Sequence, residues 1–295
     1  MPNLIFWRRV LPLLAVVWLL GPAAASAKPP PPALFAMDTG TRDAAHSTLG
    51  EQLRLVKELG CAGFGGTLQD PAALPALLAK AAQAGTKLTT LYAGLDLSAA
   101  PTNVPANLAA AVAALRGQET ILWLTVQNSK VAASAPAGDA VAVPVLRQLA
   151  DLAAAAGIRV ALYPHTGLWV ERAEDAARLA NAVNRPNLGA TFNLCHWLKV
   201  DGRDLDATLR TVGARLMVAT VNGADRDGQD WRHLIQPLGR GTYDVRPVMA
   251  ALDRIGFTGP VGLQLYGVGG NAEENLRASL AAWRELGEGA GTGGR

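Results

Sequence analysis

Cysteine is scarce in this chain, whose 295 residues include only Cys61 and Cys195. No C-x-x-C pair is present, so the spacings typical of structural zinc sites and of redox motifs are missing. Cys61 lies at the start of one predicted strand and Cys195 just beyond the end of another, and a disulfide cannot span the distance between such positions. We therefore expect two free thiols, both mostly buried.

An excess of charge of either sign is also missing. The chain has 27 basic and 24 acidic side chains, and two of the basic ones, Arg8 and Arg9, belong to a distinct N-terminal segment. Without that segment, 25 basic side chains face 24 acidic ones. Nucleic-acid binding needs a basic surface that replaces the counterions of the phosphates, so this composition argues against nucleic acid as a partner.

Long apolar runs are limited to one segment near the N-terminus, from Val10 to Leu20. Two arginines precede this run and Ala25-Ser26-Ala27 follows it, which is the order of features in a secretory signal peptide. We predict that residues 1–27 are removed before Lys28 and that the mature protein is periplasmic or secreted, with no membrane attachment. The alternative is an uncleaved anchor, although the run is short for a membrane span.

The rest of the chain alternates between two kinds of short pattern. Residues 28–33 form a proline-rich linker, and the glycine-rich residues 287–295 are predicted to be a disordered tail. Between them, short apolar runs typical of buried strands alternate with segments of helical apolar spacing. The predicted strands span residues 34–37, 61–64, 88–92, 120–126, 158–162, 188–192, 216–221 and 261–265.

Eight strand–helix pairs over residues 34–286 are typical of a single (β/α)8 barrel, the α/β architecture of TIM barrels. The predicted helices span residues 49–59, 71–84, 105–115, 141–156, 173–183, 205–211, 245–255 and 273–286. Gly60, Gly85, Gly157 and Gly256 stand where helices should end, as left-handed caps. A doubly wound open sheet is the alternative, but it usually carries G-x-G-x-x-G after its first strand, and Met37-Asp38-Thr39-Gly40 does not match.

Polar side chains follow four of the predicted strands, at the end where the chain leaves the sheet. The segments are Tyr163-Pro164-His165, Asn193-Leu194-Cys195-His196-Trp197, Asn222-Gly223-Ala224-Asp225 and Gln264-Leu265-Tyr266-Gly267. The carboxyl ends of the strands meet at one face of a barrel, and active sites of this architecture lie there. We therefore expect these groups to gather in one site.

These motifs together resemble the xylose-isomerase-like barrels, a superfamily of sugar-phosphate isomerases and epimerases that also contains AP endonucleases. The resemblance extends from Leu34 to Leu286. It is carried by the His165 strand end, Pro186-Asn187-Leu188-Gly189 leading into Asn193-x-x-His196, Asn222-x-x-Asp225, and Gly239-Arg240-Gly241 before the seventh predicted helix. It implies a barrel that acts on a small-molecule carbohydrate.

The resemblance also implies a metal site, and here the chain departs from the family. Metal-dependent members carry glutamate, aspartate, histidine and glutamate after strands five to eight. The corresponding residues of this chain are Tyr163, Asn193, Asn222 and Gln264. A divalent cation needs carboxylate charge to offset its dehydration, and neutral groups do not supply that charge. We therefore expect no metal or other cofactor, the alternative being a relocated metal site formed by Asp225, His196 and Asp38.

The strand ends do carry groups for proton transfer and hydrogen bonding. His165 and His196 exchange protons near neutral pH, so we interpret them as an acid–base pair beside a sugar carbonyl, with Asp225 orienting one of them. Amides suit vicinal hydroxyls, and aromatic rings suit the apolar face of a pyranose. The predicted substrate-binding residues are Tyr163, Asn193, Asn222, Gln264, Gln127, Trp197 and Tyr266.

Two functional hypotheses follow from these residues. The first is an exported sugar isomerase, epimerase or related lyase that works without the family's metal, and the paired imidazoles favour it. The second is a carbohydrate-binding barrel without catalysis, which the loss of all four ligand positions favours.

The turn Gly267–Asn271 precedes the last helix, where barrels often bind phosphate. Asn271 and Glu274 also match a helix cap, which we favour because glutamates in the first turn would repel an anion.

Overall fold

The computed structural model describes residues 33–200 and 202–289, which contain eight parallel strands in one closed barrel. The strands are β1 (Phe35–Met37), β2 (Gly63–Thr67), β3 (Leu88–Asp96), β4 (Ile121–Gln127), β5 (Arg159–Leu162), β6 (Leu188–Asn193), β7 (Leu216–Val221) and β8 (Val261–Leu263). They follow one another in chain order, and β1 closes the sheet against β8 with Phe35 in register with Gly262. The predicted (β/α)8 barrel is confirmed, and the open sheet is excluded.

Ten α-helices occur in the described part of the chain. They are α1 (Leu49–Glu58), α2 (Leu74–Gln83), α3 (Ala106–Ala114), α4 (Asp139–Ala155), α5 (Ala173–Val183), α6 (Leu194–Val200), α7 (Leu205–Val212), α8 (Trp231–Leu234), α9 (Arg246–Arg254) and α10 (Ala272–Gly289). The helices α6 and α8 were not predicted from the sequence. Leu194, Trp197 and Leu198 have the helical spacing that indicates α6, but the strand immediately before it obscured this pattern.

The predicted segments on either side of the barrel can be compared with the structure only in part. The last helix, α10, continues to Gly289, into the segment predicted as a disordered tail. The predicted signal peptide, nearly all of the linker and the rest of the tail lie outside the described residues. Within the described ranges, no helix combines the length and the apolar content that a membrane crossing requires.

The interior of the barrel is filled by an aromatic cluster below the carboxyl ends of the strands. The ring centres of Trp123 and Tyr163 are 4.5 Å apart, and those of Phe35 and Trp123 are 6.0 Å apart. The indole Nε1 of Trp123 donates a hydrogen bond to Thr191 Oγ1 at 2.7 Å, so the one polar atom of this large ring is satisfied. Trp123 and Tyr163 therefore form a rigid floor for whatever lies above them.

The backbone conformation of the helix-ending glycines and the free state of both cysteines agree with the predictions. The four glycines predicted as left-handed caps have φ between 66° and 75°, a region that costs a residue with a side chain more than it costs glycine. Cys61 and Cys195 are free thiols, and Cys195 is buried. Cys61 is partly buried and lies just before β2 instead of within it.

Candidate active site

A cavity of about 490 Å³ opens at the carboxyl ends of the strands. The residues that line it are Met37, Asp38, Thr39, Gly65, Gly66, Thr67, Tyr92, Trp123, Tyr163, His165, Thr166, His196, Trp231, Ile235, Gln264 and Tyr266. They come from the strands β1 to β4, from α6 and from the segments that follow β1, β5, β7 and β8, so the closed barrel is what brings them together. Five of the residues predicted for the site are among them: His165, His196, Tyr163, Gln264 and Tyr266.

His165 lies in the loop that follows β5. Its backbone N–H donates to the Val170 carbonyl at 3.0 Å, which closes a tight turn over residues 165–170. Its ring nitrogen Nδ1 lies 2.9 Å from the Thr166 carbonyl oxygen. The side chain is half-buried, and this burial lowers the pKa of His165 below the ordinary value for histidine. The imidazole therefore favours its neutral form at the wall of the cavity.

His196 lies in the first turn of α6, which begins directly after Asn193, the last residue of β6. The residue is only 5% exposed, and its ring centre is 4.2 Å from that of His165. The backbone N–H of Thr166 donates to His196 Nδ1 at 3.1 Å. Burial, with a contribution from neighbouring His165, lowers the pKa of His196 to about 3. His196 is thus neutral throughout the physiological range.

Tyr163 is at the centre of a hydrogen-bonded group on the cavity floor. Its phenol oxygen accepts hydrogen bonds from Asn193 Nδ2 and from Gln264 Nε2, the latter at 3.3 Å. Cys195 Sγ donates a hydrogen bond to the side-chain oxygen Oδ1 of Asn193 at 3.1 Å. Burial raises the pKa of Tyr163 well above its ordinary value, so the phenol remains protonated. These amides stabilise a tyrosine, and only Gln264 of the two lines the cavity.

These residues do not fit the divalent metal of the family. Tyr163, Asn193, Asn222 and Gln264 carry no negative charge, and most of their polar atoms are already used in hydrogen bonds to one another or to the backbone. The buried Asn222 Oδ1 has no partner, but one neutral oxygen is far from a complete ligand set. Nor does the described part of the chain contain a group of three or more His, Cys, Asp or Glu positioned to hold a metal ion.

Three other predicted substrate contacts do not line the cavity. Asn222 is fully buried and donates to the carbonyls of Gly223 and Leu234, each at 2.8 Å. The Trp197 indole donates to Thr208 Oγ1 at 3.2 Å on the outer side of the barrel. Gln127 Oε1 accepts from the Trp169 backbone N–H at 2.9 Å. Each of these side chains forms hydrogen bonds within the protein, because a buried polar group needs an internal partner.

Asp225 is also away from both histidines. Its carboxylate accepts from Gln236 Nε2 at 2.9 Å and from the Thr242 backbone N–H at 3.2 Å, which joins two parts of the loop after β7. The predicted role of Asp225 in orienting an imidazole has no counterpart in these contacts. The main chain of Thr166 contacts both imidazoles instead, and backbone atoms leave no signal in the residue pattern.

Two further residues of the cavity were not predicted as substrate contacts. Asp38, at the end of β1, is buried and pairs with Arg42 at 2.6 Å; burial raises the pKa of Asp38, against the opposing effect of Arg42. Trp231 begins α8, and its ring centre lies 5.2 Å from that of His196. From the sequence, Asp38 was considered only as a ligand of a relocated metal site, although its position at a strand end also indicates the cavity. The short helix that brings Trp231 to the cavity was not predicted.

The turn before α10 is a helix cap, as predicted. Asn271 Oδ1 accepts from the Glu274 backbone N–H at 3.1 Å, so the cap already uses one of the free donors of the helix start.

The chain belongs to the family described as xylose isomerase-like TIM barrel, which matches residues 53–286. The fold, the strand order and the position of the cavity agree with this assignment.

Individual relatives are more distant. The 3-dehydroshikimate dehydratase of Pseudomonas aeruginosa is 29% identical over 175 residues, which cover 55% of this chain and 27% of the relative. The inosose isomerase of Bacillus subtilis is 26% identical over 133 residues, which cover 42% of this chain and 46% of the relative. The match thus spans about a quarter of the first relative's length and just under half of the second's.

Solved structures share the fold over nearly the whole barrel. The crystal structure of the 3-keto-D-glucoside 4-epimerase of E. coli superposes with a TM-score of 0.65 at 18% identity, over 85% of this chain and 98% of the other. At this identity the similarity concerns the fold alone. By name, the two relatives matched in sequence are a dehydratase and an isomerase.

Proposed function

We propose that this protein is an isomerase, epimerase or related lyase that acts on a small carbohydrate through His165 and His196, without a divalent metal. The observation that supports this most is the contact between two imidazoles, with ring centres 4.2 Å apart, at the wall of one cavity. Histidine moves protons near neutral pH, and removal of a proton beside a carbonyl begins many isomerisations, epimerisations and eliminations of sugars.

The absence of charged ligands changes how the carbonyl would be activated. A metal ion polarises a carbonyl oxygen as a Lewis acid, but the neutral residues at the ligand positions do not support that route. Hydrogen-bond donors held in a buried site can stabilise the same developing negative charge. The imidazole of His196 is such a donor, since it is almost fully buried and neutral.

The lining of the cavity favours an uncharged substrate. Its residues include no lysine or arginine, and Asp38 is the one carboxylate among them. A phosphate or carboxylate on the substrate would face Asp38 without a cation in the lining, whereas hydroxyl groups suit Gln264 and Thr39. We therefore favour a neutral keto sugar or keto polyol as the substrate. Inosose, in the name of one relative, is of this kind, whereas dehydroshikimate, in the name of the other, carries a carboxylate.

Two aromatic side chains near the cavity mouth support a ring-shaped ligand. Tyr266 is 62% exposed and Trp231 is 36% exposed, although both line the cavity. Exposed aromatic faces provide a surface for the apolar face of a sugar ring at little conformational cost. These two residues would hold the substrate above the histidines.

The second candidate function is binding of a carbohydrate without turnover. The observation that favours it is the neutral character of all four residues at the ligand positions, since the family's usual catalytic charge is gone. The two functions differ in one measurable respect. A binding protein would retain its ligand unchanged, and the histidines would then contribute affinity only.

Incubation with neutral keto sugars tests the proposal. We expect turnover of inosose or a 3-keto-D-glucoside, but not of 3-dehydroshikimate, when products are followed by NMR. His165→Gln should lose about 10²- to 10⁴-fold in rate, as expected for a general base. Its stability should stay within about 1 kcal/mol of the wild type, as for substitutions outside the core.

The matched control is His233→Gln, whose imidazole is 56% exposed and pairs with Asp230 away from the cavity. It should retain full activity. Binding of the sugars by calorimetry without any product would support the second candidate function. If His165→Gln and His196→Gln both unfold while the folded fraction binds and reacts as before, the histidines are structural and the site assignment is wrong.

We further propose that the protein is exported to the periplasm or secreted. The support is the N-terminal order of two arginines, an apolar run from Val10 to Leu20 and the small residues Ala25-Ser26-Ala27. An exported enzyme without a metal would not depend on the supply of that metal outside the cytoplasm.

A further inference from the structure

We propose that the main chain of Thr166 holds the two histidines in opposite tautomers, so that His165 is the base and His196 is a neutral hydrogen-bond donor. This inference rests on the proposed function for its catalytic meaning, but the tautomers themselves follow from the contacts alone. Thr166 would then be a positioning residue that acts through its backbone.

The tautomer of His196 follows from the donor that faces it. The backbone N–H of Thr166 points at His196 Nδ1, with 3.1 Å between the two nitrogens. A backbone N–H can only donate, so Nδ1 must accept, and the one proton of the neutral ring lies on Nε2. The Thr166 hydroxyl, 3.0 Å from the same nitrogen, can donate to it as well. A protonated His196 would place an N–H against the Thr166 N–H, and this opposes the charged form.

The tautomer of His165 follows from the acceptor that faces it. Its Nδ1 lies 2.9 Å from the carbonyl oxygen of Thr166. A backbone carbonyl can only accept, so Nδ1 carries the proton and Nε2 of the neutral ring carries a lone pair. The two rings are therefore complementary, since one has a bare Nε2 and the other has an Nε2–H. Among the described residues, neither Nε2 has a hydrogen-bond partner in the protein.

The loop geometry maintains this arrangement. The turn over residues 165–170 is closed by the His165 N–H to the Val170 carbonyl at 3.0 Å and by the Leu168 N–H to the His165 carbonyl at 3.0 Å. The Val170 N–H is in turn bonded to the Val126 carbonyl at the end of β4, at 3.1 Å. The position of Thr166 between the two rings is thus set by strand-anchored hydrogen bonds, which are costly to break when buried.

The chemical consequence is a division of roles. His165 Nε2 accepts a proton from the carbon beside the carbonyl, and the C–H electron pair forms the double bond of an enolate. The carbonyl electrons move to the oxygen, which accepts a hydrogen bond from His196 Nε2–H. The imidazolium of His165 then returns its proton to the former carbonyl carbon. The proton of the hydroxyl group on the deprotonated carbon passes to the former carbonyl oxygen, and that carbon becomes the new carbonyl. This completes an isomerisation with no other reactant.

The tautomers can be observed directly in protein uniformly labelled with 15N. Long-range proton–nitrogen spectra near pH 7.5 should show Nδ1-protonated His165 and Nε2-protonated His196, assigned by the signals lost in His165→Gln and His196→Gln. Thr166→Val is the matched control, because it removes the hydroxyl but keeps the backbone N–H and C=O, and it should leave both patterns unchanged. The same tautomer on both rings, or a change of either tautomer in Thr166→Val, would overturn the inference.

Activity then separates the two roles. On the same panel of keto sugars, His165→Gln should abolish exchange of the substrate's carbon-bound proton with D₂O, since an amide is not a base. His196→Ala should lose about 10²- to 10³-fold, as expected when an oxyanion donor is removed. His196→Gln should lose less, because its amide N–H restores a donor at a similar distance from Cα. Equal losses in His196→Gln and His165→Gln would refute the division of roles.

Absence of turnover with every sugar would count against the proposed function and leave the tautomer measurement as an independent result. Opposite tautomers with no catalysis would then assign the same two groups to ligand binding, as one acceptor and one donor.

Discussion

Two imidazoles in contact inside a protein repel each other if both are protonated. The more deeply buried ring is the one that resists protonation more strongly. His196 is 5% exposed, and His165 is half-buried in the loop beside it. Desolvation disfavours the charged form of each, and the charge of one ring further disfavours charge on the other. At most one ring of the pair therefore carries a charge at a time, and His196 is the ring that resists protonation more strongly.

At the residue scale, this predicts a loss of stability in acid. The folded protein resists protonation of His196, whose pKa is lowered to about 3, whereas the unfolded chain binds that proton below about pH 6.5. The stability that this histidine contributes is fully present above pH 6.5 and is lost as the pH falls toward 3. The unfolding free energy should decrease by up to about 1.4 kcal/mol per pH unit in this window. His165 adds to the loss in the same direction.

Urea unfolding at a series of pH values measures this slope. His196→Gln should reduce it, because the unfolded and folded states then bind the same number of protons at this position. His233→Gln, an exposed substitution away from the cavity, is the control and should leave the contribution of His196 unchanged. A slope that is identical in the wild type and in His196→Gln would show that the folded protein protonates His196 as easily as the unfolded chain does.

At the scale of secondary-structure elements, the site depends on how the loop after β5 is held. Gln127, at the end of β4, accepts hydrogen bonds from the backbone N–H groups of Trp169 and Asn128 at 2.9 and 3.0 Å. Trp169 lies in the same loop as His165 and Thr166, and its indole donates to the Ala135 carbonyl at 2.9 Å. The side chain of Gln127 thus connects one strand to the loop that carries the candidate base.

We predict that Gln127→Met destabilises the protein by about 1–3 kcal/mol, because it leaves buried backbone N–H groups without an acceptor. Activity should fall as well, since His165 loses its fixed position. The measurements are thermal unfolding and steady-state kinetics on the active sugar. Gln118→Met, at an exposed position, is the control and should change neither. A higher KM without any loss of stability would instead support the direct sugar contact first predicted for Gln127.

At the scale of the whole molecule, the barrel brings neutral groups together at the positions where the resemblance to metal-dependent barrels implies charged ligands. The sheet closes in chain order, so the ends of β5, β6 and β8 converge on the Tyr163 phenol. A protonated phenol held by two amides is a stable neutral centre. The same convergence would hold a cation if the side chains were anionic.

We predict that the purified protein holds no stoichiometric divalent metal. Elemental analysis after mild purification should find less than one zinc, manganese, cobalt or magnesium per chain, and a chelator should change neither the unfolding temperature nor the activity. A ligand that binds only the folded state would raise stability by about 2.7 kcal/mol at a concentration of 100 times its Kd, so a bound metal would be seen in the same experiment. One tightly held metal per chain would contradict the charge argument.

Processing of the N-terminus is the remaining prediction at this scale. Protein recovered from the periplasm or the medium should begin at Lys28, because the small residues before it match a signal peptidase site. N-terminal sequencing of the exported protein is the measurement, and a variant with Ala25 and Ala27 changed to leucine should slow cleavage. A soluble cytosolic pool that keeps Met1 would disprove export.

The barrel could be predicted from the residue pattern alone. Eight apolar runs alternate with eight amphipathic segments, and this periodicity depends only on which faces must be buried. The helix-ending glycines were equally readable, because a left-handed backbone conformation favours glycine wherever it occurs. Both features are local or periodic, so they survive in a one-dimensional pattern.

Which strand-end residues share the cavity depends on the packing of the folded barrel. His165, His196 and Gln264 face it, whereas Asn222, Gln127 and Asp225 hold loops together, although all of them follow strands. The physical reason is that a buried amide or carboxylate takes whichever partner the packing brings near, and backbone donors and acceptors compete with a ligand for it. Thr166 is adjacent to His165 in the chain, but its backbone N–H reaches His196 Nδ1 only in the folded barrel, and the residue pattern does not show which backbone group meets which ring.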